Sequence, residues 1–246
     1  MRIINLVFLV VISITLGSCK KDVGDCFKST GKITSEWREA GKIKNIILHN
    51  NINLTLVPSD STGIEISAGK NLLSKITSEL KGDTLELSNT NSCNWVRDFS
   101  KEINAKVYVN NFCRLDYRST GDVNCNDTIY SDSLIVNVYE GSGSINILSV
   151  TPLLKSAIHY GTADIKISGY THLSQVYSAG WGLIDNRNMI STFVYVKSLS
   201  TNDIYVNATE TLSASIIGIG NIYDKGNPIN ISVDNQGSGK LLKIED

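Results

Sequence analysis

The chain of 246 residues has a formal net charge of −1, and 19% of its residues are charged while 41% are hydrophobic. This balance excludes the extended basic surface that nucleic-acid binding requires, and the chain is long enough to bury a sizeable core. Nineteen glycines and only three prolines, with many Ile, Val, Thr and Asn residues, favour strands joined by tight turns. We therefore expect an all-β protein without a nucleic-acid partner.

The first nineteen residues have the organisation of a bacterial lipoprotein signal. Arg2 precedes an apolar stretch over residues 3–16, which is shorter than the roughly 20 residues of a membrane-spanning helix. The stretch ends in Leu16-Gly17-Ser18-Cys19, which resembles a lipobox, the motif whose cysteine receives the lipid. We expect residues 1–18 to be a signal peptide and Cys19 to be lipidated; an ordinary signal peptide or an uncleaved anchor is the alternative.

The lipid would place the protein in the cell envelope. Residues 19–30 are predicted to be a polar tether, and the chain is expected to be exported and held on the outer membrane through its N-terminal lipid. Two lysines follow Cys19 directly, so the periplasmic and surface faces of that membrane both stay open as locations.

Four further cysteines, Cys26, Cys93, Cys113 and Cys125, are an even number in an oxidising compartment, which predicts disulfide bonds. Three connectivities exist, and we favour Cys26–Cys93 together with Cys113–Cys125. Metal binding is disfavoured because no CxxC motif or nearby histidine accompanies these cysteines. No metal or cofactor is expected.

Residues 31–110 are predicted to form an N-terminal β module. Residues 52–57 alternate between apolar and polar side chains, which is typical of a strand that covers a core on one side. Similar strands are predicted at residues 43–48, 64–68 and 84–87. Residues 71–80 fit either a helical turn or a strand.

Residues 111–246 repeat with a period near 20. Small-residue corners centred on residues 121, 143, 163, 182, 202, 220 and 239 are spaced by 18 to 22 residues. An apolar residue two positions after each corner predicts one interior ladder: Val123, Ile145, Ile165, Ile184, Ile204, Ile222 and Leu241. Another apolar residue recurs about nine positions before the corner, at Leu134, Leu154, Leu173 and Phe193.

Stacked coils bury the apolar face that one repeat cannot bury alone. We therefore predict two stacked β modules, of which the C-terminal one is a right-handed parallel β-helix-like repeat of about 20 residues per coil. Glycine at the corners would permit turns with positive φ. An antiparallel meander of hairpins is the alternative architecture.

Three segments resemble the auto-transporter adhesin head GIN domain family of Bacteroidota: residues 25–31, 68–73 and 92–97, together with the Gly-x-Gly corners. The resemblance covers roughly residues 25–245, and it implies two stacked β modules with β-helix character and a cell-envelope location. The corner at residues 200–202 departs from the pattern because it has no glycine. The word adhesin in the family's name is an analogy, which does not by itself give a function.

The sequence shows no recognisable catalytic apparatus, and we predict a non-enzymatic protein. No nucleophile motif has suitable partners, and the three histidines lack metal-ligand spacing. The alternative is a carbohydrate-active β-helix enzyme, a polysaccharide lyase or a glycosidase, that would use Asp122, Asp164 and Asp203. These aspartates would lie on alternate coils, about 9–10 Å apart, at or beyond the upper limit for an inverting carboxylate pair.

Binding of a glycan or protein ligand is the predicted function of the β surface. Aromatic residues that could stack on sugar rings are Trp181, Tyr139, Tyr160, Tyr205 and Tyr223, with Tyr177 and Tyr195 also predicted to be exposed. Tyr139 and Tyr160 are predicted to share one slot of the repeat, and Tyr205 and Tyr223 another. Trp181, in a Gly-Trp-Gly corner, is the first candidate ligand contact.

Overall fold

The protein is a β-solenoid of stacked parallel coils. The computed structural model describes residues 29–91 and 102–245, and these contain twenty strands of one continuous sheet and one short 3-10 turn. The first strands are β1 (Ile33–Glu39), β2 (Asn45–Asn50), β3 (Ile52–Pro58), β4 (Gly63–Gly69), β5 (Ile76–Lys81), β6 (Thr84–Asn89) and β7 (Ile103–Val109), with the 3-10 turn η1 at Leu73–Lys75. The next are β8 (Arg114–Ser119), β9 (Val123–Cys125), β10 (Ile129–Tyr130), β11 (Leu134–Gly141), β12 (Ser144–Ile158) and β13 (Asp164–Ser178). The last are β14 (Ile184–Asp185), β15 (Met189–Ser198), β16 (Ile204–Val206), β17 (Ala208–Ile216), β18 (Ile222–Asp224), β19 (Asn230–Asn235) and β20 (Leu241–Lys243).

Parallel pairing divides the solenoid into three faces. Face A contains β6, β2, β8, β11, the C-terminal halves of β12, β13 and β15, and then β17 and β19. Face B contains β7, β3, β9, the N-terminal halves of β12 and β13, and then β14, β16, β18 and β20. Face C is shorter: β10 pairs there with the middle of β12, which pairs with the middle of β13, and this in turn pairs with the first residues of β15. The parallel pairing confirms the coil and excludes the meander of hairpins.

The predicted interior ladder is confirmed residue by residue on face B. Each neighbouring pair in the series Val123, Ile145, Ile165, Ile184, Ile204, Ile222 and Leu241 is aligned by the strand register. All members except Leu241 are at most 1% exposed. Leu54 and Ala105 extend the ladder into the preceding coils, because Leu54 pairs with both Val123 and Ala105.

The second apolar series does not occupy one equivalent position. Leu134 pairs with Leu154, but Leu154 pairs with Ser174, one residue beyond Leu173. Leu173 pairs instead with Leu153 and Phe193, and both Leu173 and Phe193 are partly exposed. Because alternate residues of a strand point to opposite faces, a slip of one position moves these two side chains outward.

Backbone pairing is continuous across the predicted module boundary. β2 pairs with β8 on one side and with β6 on the other, and β3 pairs with β9 and β7 in the same way. The coil formed by β2 and β3 is therefore inserted between two coils that follow it in the sequence. The division into modules at residues 31–110 and 111–246 stays a prediction.

Antiparallel strands cover the N-terminal end of the solenoid. β4 pairs with β1 and β7, and β5 pairs with β6, all antiparallel. The Arg38 guanidinium of β1 donates hydrogen bonds to the carbonyl oxygens of Ile76 (2.7 Å) and Leu73 (3.3 Å), which ties β1 to η1 and β5. Residues 71–80 thus contain both predicted alternatives, a short turn and a strand.

No described residue covers the C-terminal end of the solenoid. All six residues of β19 are exposed, although Ile231 and Val233 occupy the same inward register as Leu212 and Ala214 of the preceding coil. Ile231 is 59% exposed and Val233 is 45% exposed. The core of the last coil therefore faces solvent along one edge.

The predicted disulfide between Cys113 and Cys125 is absent, and both residues are free thiols. Cys113 precedes β8 on face A, whereas Cys125 ends β9 on face B. A disulfide requires Cα atoms within about 7 Å of each other, and the whole extended strand β8 separates these two cysteines. Burial raises the pKa of both thiols. Cys19, Cys26 and Cys93, and with them the predicted Cys26–Cys93 bond, lie outside the described residues.

Tyr117 fixes the first glycine corner from inside the solenoid. Its hydroxyl donates a hydrogen bond to the carbonyl of Gly121 (2.7 Å) and accepts one from the backbone N–H of Gly143 in the next coil (3.0 Å). The side chain is fully buried. Burial is the main cause that raises the pKa of Tyr117 to about 12.

We expect this buried phenol to make the protein less stable between pH 10 and pH 12. In that interval the unfolded tyrosine releases its proton while the folded one keeps it, so a rise in pH favours the unfolded state. Replacing Tyr117 with phenylalanine should flatten that part of the curve and cost about 1–3 kcal/mol at neutral pH, because Gly121 and Gly143 lose a buried partner. Urea unfolding of both proteins across this pH range is the measurement. Parallel curves for the two proteins would contradict the assignment.

Candidate functional site

A groove of about 540 Å³ crosses the coils on the outside of face A. It extends from β11 over β12, β13, β15 and β17 to β19, so it runs along the stack and across the strands. The lining residues are Asn137, Lys155, Ser156, Ala157, His159, Gln175, Val176, Tyr177, Tyr195, Val196, Lys197, Ser213, Ala214, Ser215, Ser232 and Asp234. Aromatic, polar and charged side chains converge on this concave surface, which makes it the candidate binding site.

The outward side chains of the groove form two aligned rows. The strand register places Lys155, Gln175, Tyr195, Ser213 and Ser232 in the first row. It places Ala157, Tyr177, Lys197, Ser215 and Asp234 in the second. Neighbouring members of a row lie about 4.8 Å apart, the spacing of adjacent strands. The strand spacing thus arranges five coils' side chains as a regular grid.

Small and large side chains give the groove its shape. Ala157, Ser213 and Ser215 leave a low floor, and the rings of Tyr177 and Tyr195 stand at the centre. Tyr195 is 49% exposed. An exposed tyrosine ring offers an apolar surface and a hydroxyl together, which suits a ligand that combines apolar and polar edges.

The groove has two cationic side chains without counter-ions. Neither Lys155 nor Lys197 forms an ion pair or a side-chain hydrogen bond with another residue in the described part of the chain. Asp234 contributes one negative charge at the last coil, two coils from Lys197 in the same row. The centre of the groove is therefore positively charged at neutral pH.

The aspartates considered for catalysis hold the coils together. The Asp122 carboxylate accepts hydrogen bonds from the backbone N–H (2.9 Å) and the hydroxyl (2.8 Å) of Ser144 in the next coil. Asp164 accepts from the N–H of Leu183 (2.8 Å), and Asp203 from the N–H of Asn221 (2.9 Å).

In other coils, asparagine side chains at the position before the interior ladder accept the same kind of hydrogen bond. Asn53 accepts a hydrogen bond from the N–H of Asp122 (3.0 Å), and Asn221 accepts one from the N–H of Lys240 (3.0 Å). Amide and carboxylate side chains thus accept the same backbone hydrogen bond at this position, and these residues link neighbouring coils. These carboxylates lie on face B, away from the groove on face A.

A family model described as "Putative auto-transporter adhesin, head GIN domain" matches residues 43–228, about three quarters of the chain. The chain belongs to this family. No curated protein is significantly similar in sequence.

Solved structures that resemble the protein share its fold. A putative adhesin from Bacteroides fragilis superposes with a TM-score of 0.78 at 24% identity, covering 87% of this chain and 97% of that chain. A putative adhesin from Parabacteroides distasonis gives a TM-score of 0.67 at 19% identity, covering 87% and 98%. A putative lipid binding protein from the same species gives 0.65 at 18% identity, covering 88% and 98%. The family match favours an adhesin-like scaffold of the cell envelope.

The aromatic residues predicted from the sequence do not form a single site. Tyr139 stacks on His159 with ring centroids 4.9 Å apart, and the Arg118 guanidinium lies 4.5 Å above the Tyr139 ring. His159 also lines the groove, so this stack forms one end of it. The predicted slot shared by Tyr139 and Tyr160 is wrong, because His159 is the residue that stacks on Tyr139.

The other predicted aromatics lie elsewhere on the solenoid. Tyr205 and Tyr223 share a slot on face B as predicted, with centroids 5.0 Å apart, and Arg187 covers Tyr205 at 3.8 Å. Tyr160 and Trp181 are 68% and 60% exposed at the corners that lead into face B. Their role as ligand contacts stays a prediction, and neither reaches the groove.

Lys155, Lys197 and Gln175 were not among the residues predicted from the sequence. Lys155, Gln175 and Tyr195 are successively twenty residues apart, which is the period of the repeat. The corners and the apolar ladder belong to face B and its turns, so they do not by themselves reveal the outward positions of face A. The twenty-residue period is the signal that the sequence contained for this row.

Within the described part of the chain, no group of three or more His, Cys, Asp or Glu residues is arranged to hold a metal ion. No helix among the described residues is long and apolar enough to cross a membrane.

Proposed function

We propose that the protein is a lipid-anchored, non-enzymatic adhesin-like scaffold that presents the groove on face A to a glycan or protein ligand. The observation that carries the proposal is the groove itself, in which Tyr177 and Tyr195 stand over a floor of small side chains. Four of its strands, β12, β13, β15 and β17, are hydrogen-bonded to a neighbouring strand on both sides of face A, so the groove is preformed and binding requires little ordering of the protein. Family membership supports a surface with a binding role.

The structural role of the aspartates supports a function without catalysis. Asp122, Asp164 and Asp203 each accept a backbone hydrogen bond from the adjacent coil, which accounts for their recurrence. The groove contains one carboxylate, Asp234, whereas glycoside hydrolysis by the usual route needs two.

Ligand binding is tested by removing the two aromatic rings. The full-length protein, purified in detergent, is applied to glycan arrays and to arrays of host-surface proteins beside Tyr177→Ala and Tyr195→Ala. We expect at least one ligand whose signal falls about tenfold or more in both variants, because each loses a stacking surface. Tyr130→Ala is the matched control, since Tyr130 is 70% exposed on face C. Binding that ignores both groove tyrosines, or that follows Tyr130, would refute the groove.

The lipid anchor is tested separately at Cys19. Cys19→Ser removes the thiol that receives the lipid, and we expect the protein to move from the membrane fraction to the soluble fraction of cells, since stable anchoring depends on the acyl chains. Cys113→Ser is the matched control, because this thiol takes no part in anchoring. An unchanged membrane fraction for Cys19→Ser would contradict the lipobox.

A further inference from the structure

We propose that the groove on face A binds an acidic oligosaccharide, whose rings pack on Tyr177 and Tyr195 and whose anionic groups pair with Lys155 and Lys197. The inference rests on the proposed function, since it names the ligand class of the same groove. It follows from the position of the lysines, from the pairing of the strands and from the polar groups of the two rows.

The lysines lie at opposite corners of the block of outward side chains that contains the two tyrosines. Lys155 belongs to β12 and is two coils from Tyr195 in its row, while Lys197 belongs to β15 and is the direct neighbour of Tyr177 in the other row. Two coils correspond to about 10 Å along the stack. A ligand that lies along the groove therefore meets Lys155, then Tyr177 one coil later, and then Tyr195 beside Lys197 in the same strand.

Charge decides between neutral and acidic ligands. An ammonium group without a counter-ion attracts an anion, and a concave site concentrates that attraction. Both lysines lack an ion-pair partner among the described residues, whereas Lys81 and Lys106 on the same molecule are paired with Glu86 and Glu65. The two ammonium groups of the groove can thus pair with anionic groups of a ligand.

Strand pairing decides between an oligosaccharide and a peptide. Extended peptides usually bind by adding a strand to a free sheet edge, where main-chain groups supply the affinity. Here β12, β13, β15 and β17 are each paired with a neighbouring coil on both sides of face A. Among the groove strands, only β19 has an edge that no described strand pairs, and a peptide added there would lie past the last coil, two coils beyond Tyr195. Recognition must come from ring surfaces, hydroxyls, the Gln175 amide and the ammonium groups, which match the alternating apolar and hydroxyl surfaces of sugar rings.

The test compares matched acidic and neutral oligosaccharides on the full-length protein in detergent. Tetragalacturonate and its methyl ester share the same rings and differ in charge, and a heparin-derived tetrasaccharide distinguishes sulfate from carboxylate. We expect at least one acidic probe to bind by isothermal titration calorimetry, with affinity that falls as salt rises. Lys155→Gln combined with Lys197→Gln should weaken this binding about tenfold and leave any binding of the methyl ester unchanged.

Lys166→Gln is the control for charge, because Lys166 is exposed on face B outside the groove. Equal loss in this variant would overturn the proposal, as would failure of every acidic probe to bind. If neutral and acidic sugars bind equally and Tyr195→Ala abolishes both, the acidic class is wrong while the binding function of the groove stands. If an acidic hexapeptide binds through the lysines and no oligosaccharide does, the ligand is a peptide and the proposal is overturned.

Discussion

Replacing Gly141 with alanine is expected to lower the free energy of unfolding by at least about 3 kcal/mol. Gly141 has a φ of +112°, a conformation that side chains with a Cβ rarely adopt. A Cβ at this position would also overlap the carbonyl oxygen of Ser119 in the preceding coil. Both penalties act together because the stacked coils leave no room for the backbone to move away.

Two other glycines separate these penalties. Gly82 has a φ of +66° but open space around it, so Gly82→Ala should cost only about 1–2 kcal/mol from the backbone conformation. Gly182 has no positive φ, but a Cβ there would overlap the carbonyl oxygen of Ala163, so Gly182→Ala measures the close contact alone. Urea unfolding with a common m-value gives the comparison. A Gly141→Ala cost no larger than that of Gly82→Ala would show that the coils can separate.

Replacing Ile165 with alanine is expected to cost about 2–5 kcal/mol, the usual range for a buried aliphatic side chain cut back to alanine. Ile165 lies between Ile145 and Ile184 in the interior ladder, and all three are 0% exposed. The coils above and below are held by their own hydrogen bonds and cannot close on the cavity. Ile190→Ala is the matched control, since Ile190 is 48% exposed on face C and should lose less than about 1 kcal/mol.

The same measurement at the open end tests how the ladder depends on neighbours. Leu241 continues the ladder but has a coil on one side only and is partly exposed. Leu241→Ala should therefore cost clearly less than Ile165→Ala, because only part of its apolar surface is buried. Equal costs would mean that the last coil is covered in solution.

The interior ladder could be predicted because one branched residue follows each small corner at a fixed distance. The glycine corners were also predicted, but positive φ was the only reason given for them. Of the corner glycines, Gly141 and Gly161 have positive φ, whereas Gly182 and Gly220 are needed because a Cβ would overlap a carbonyl of the coil below. That contact joins residues about 20 positions apart, so no local turn preference reveals it.

The side-chain register of face A could not be obtained by counting from the corners. Leu154 aligns with Ser174, twenty residues later, although the corners centred on residues 163 and 182 are only nineteen apart. The segment between the strand and the corner is one residue shorter in the second coil, so the strand register stays at twenty residues. Counting from the corner therefore placed Leu173 and Phe193 one position off. The pairing of Tyr139 with Tyr160 joined residues four and three positions before their corners, whereas His159, which stacks on Tyr139, is also four positions before its corner.

The inserted coil has a consequence for the order in which the protein folds. In a simple solenoid each coil can settle on the one made before it, so structure grows with the chain. Here β2 and β3 have both their neighbours, β6 with β7 and β8 with β9, later in the sequence. During synthesis and export the first coil keeps one edge free until β6 and β7 have emerged, at residue 109, and its other edge free until β9 ends at residue 125. Growth toward the C-terminus can only begin then, which makes this coil the slowest to form and the most protected from hydrogen exchange once it is enclosed.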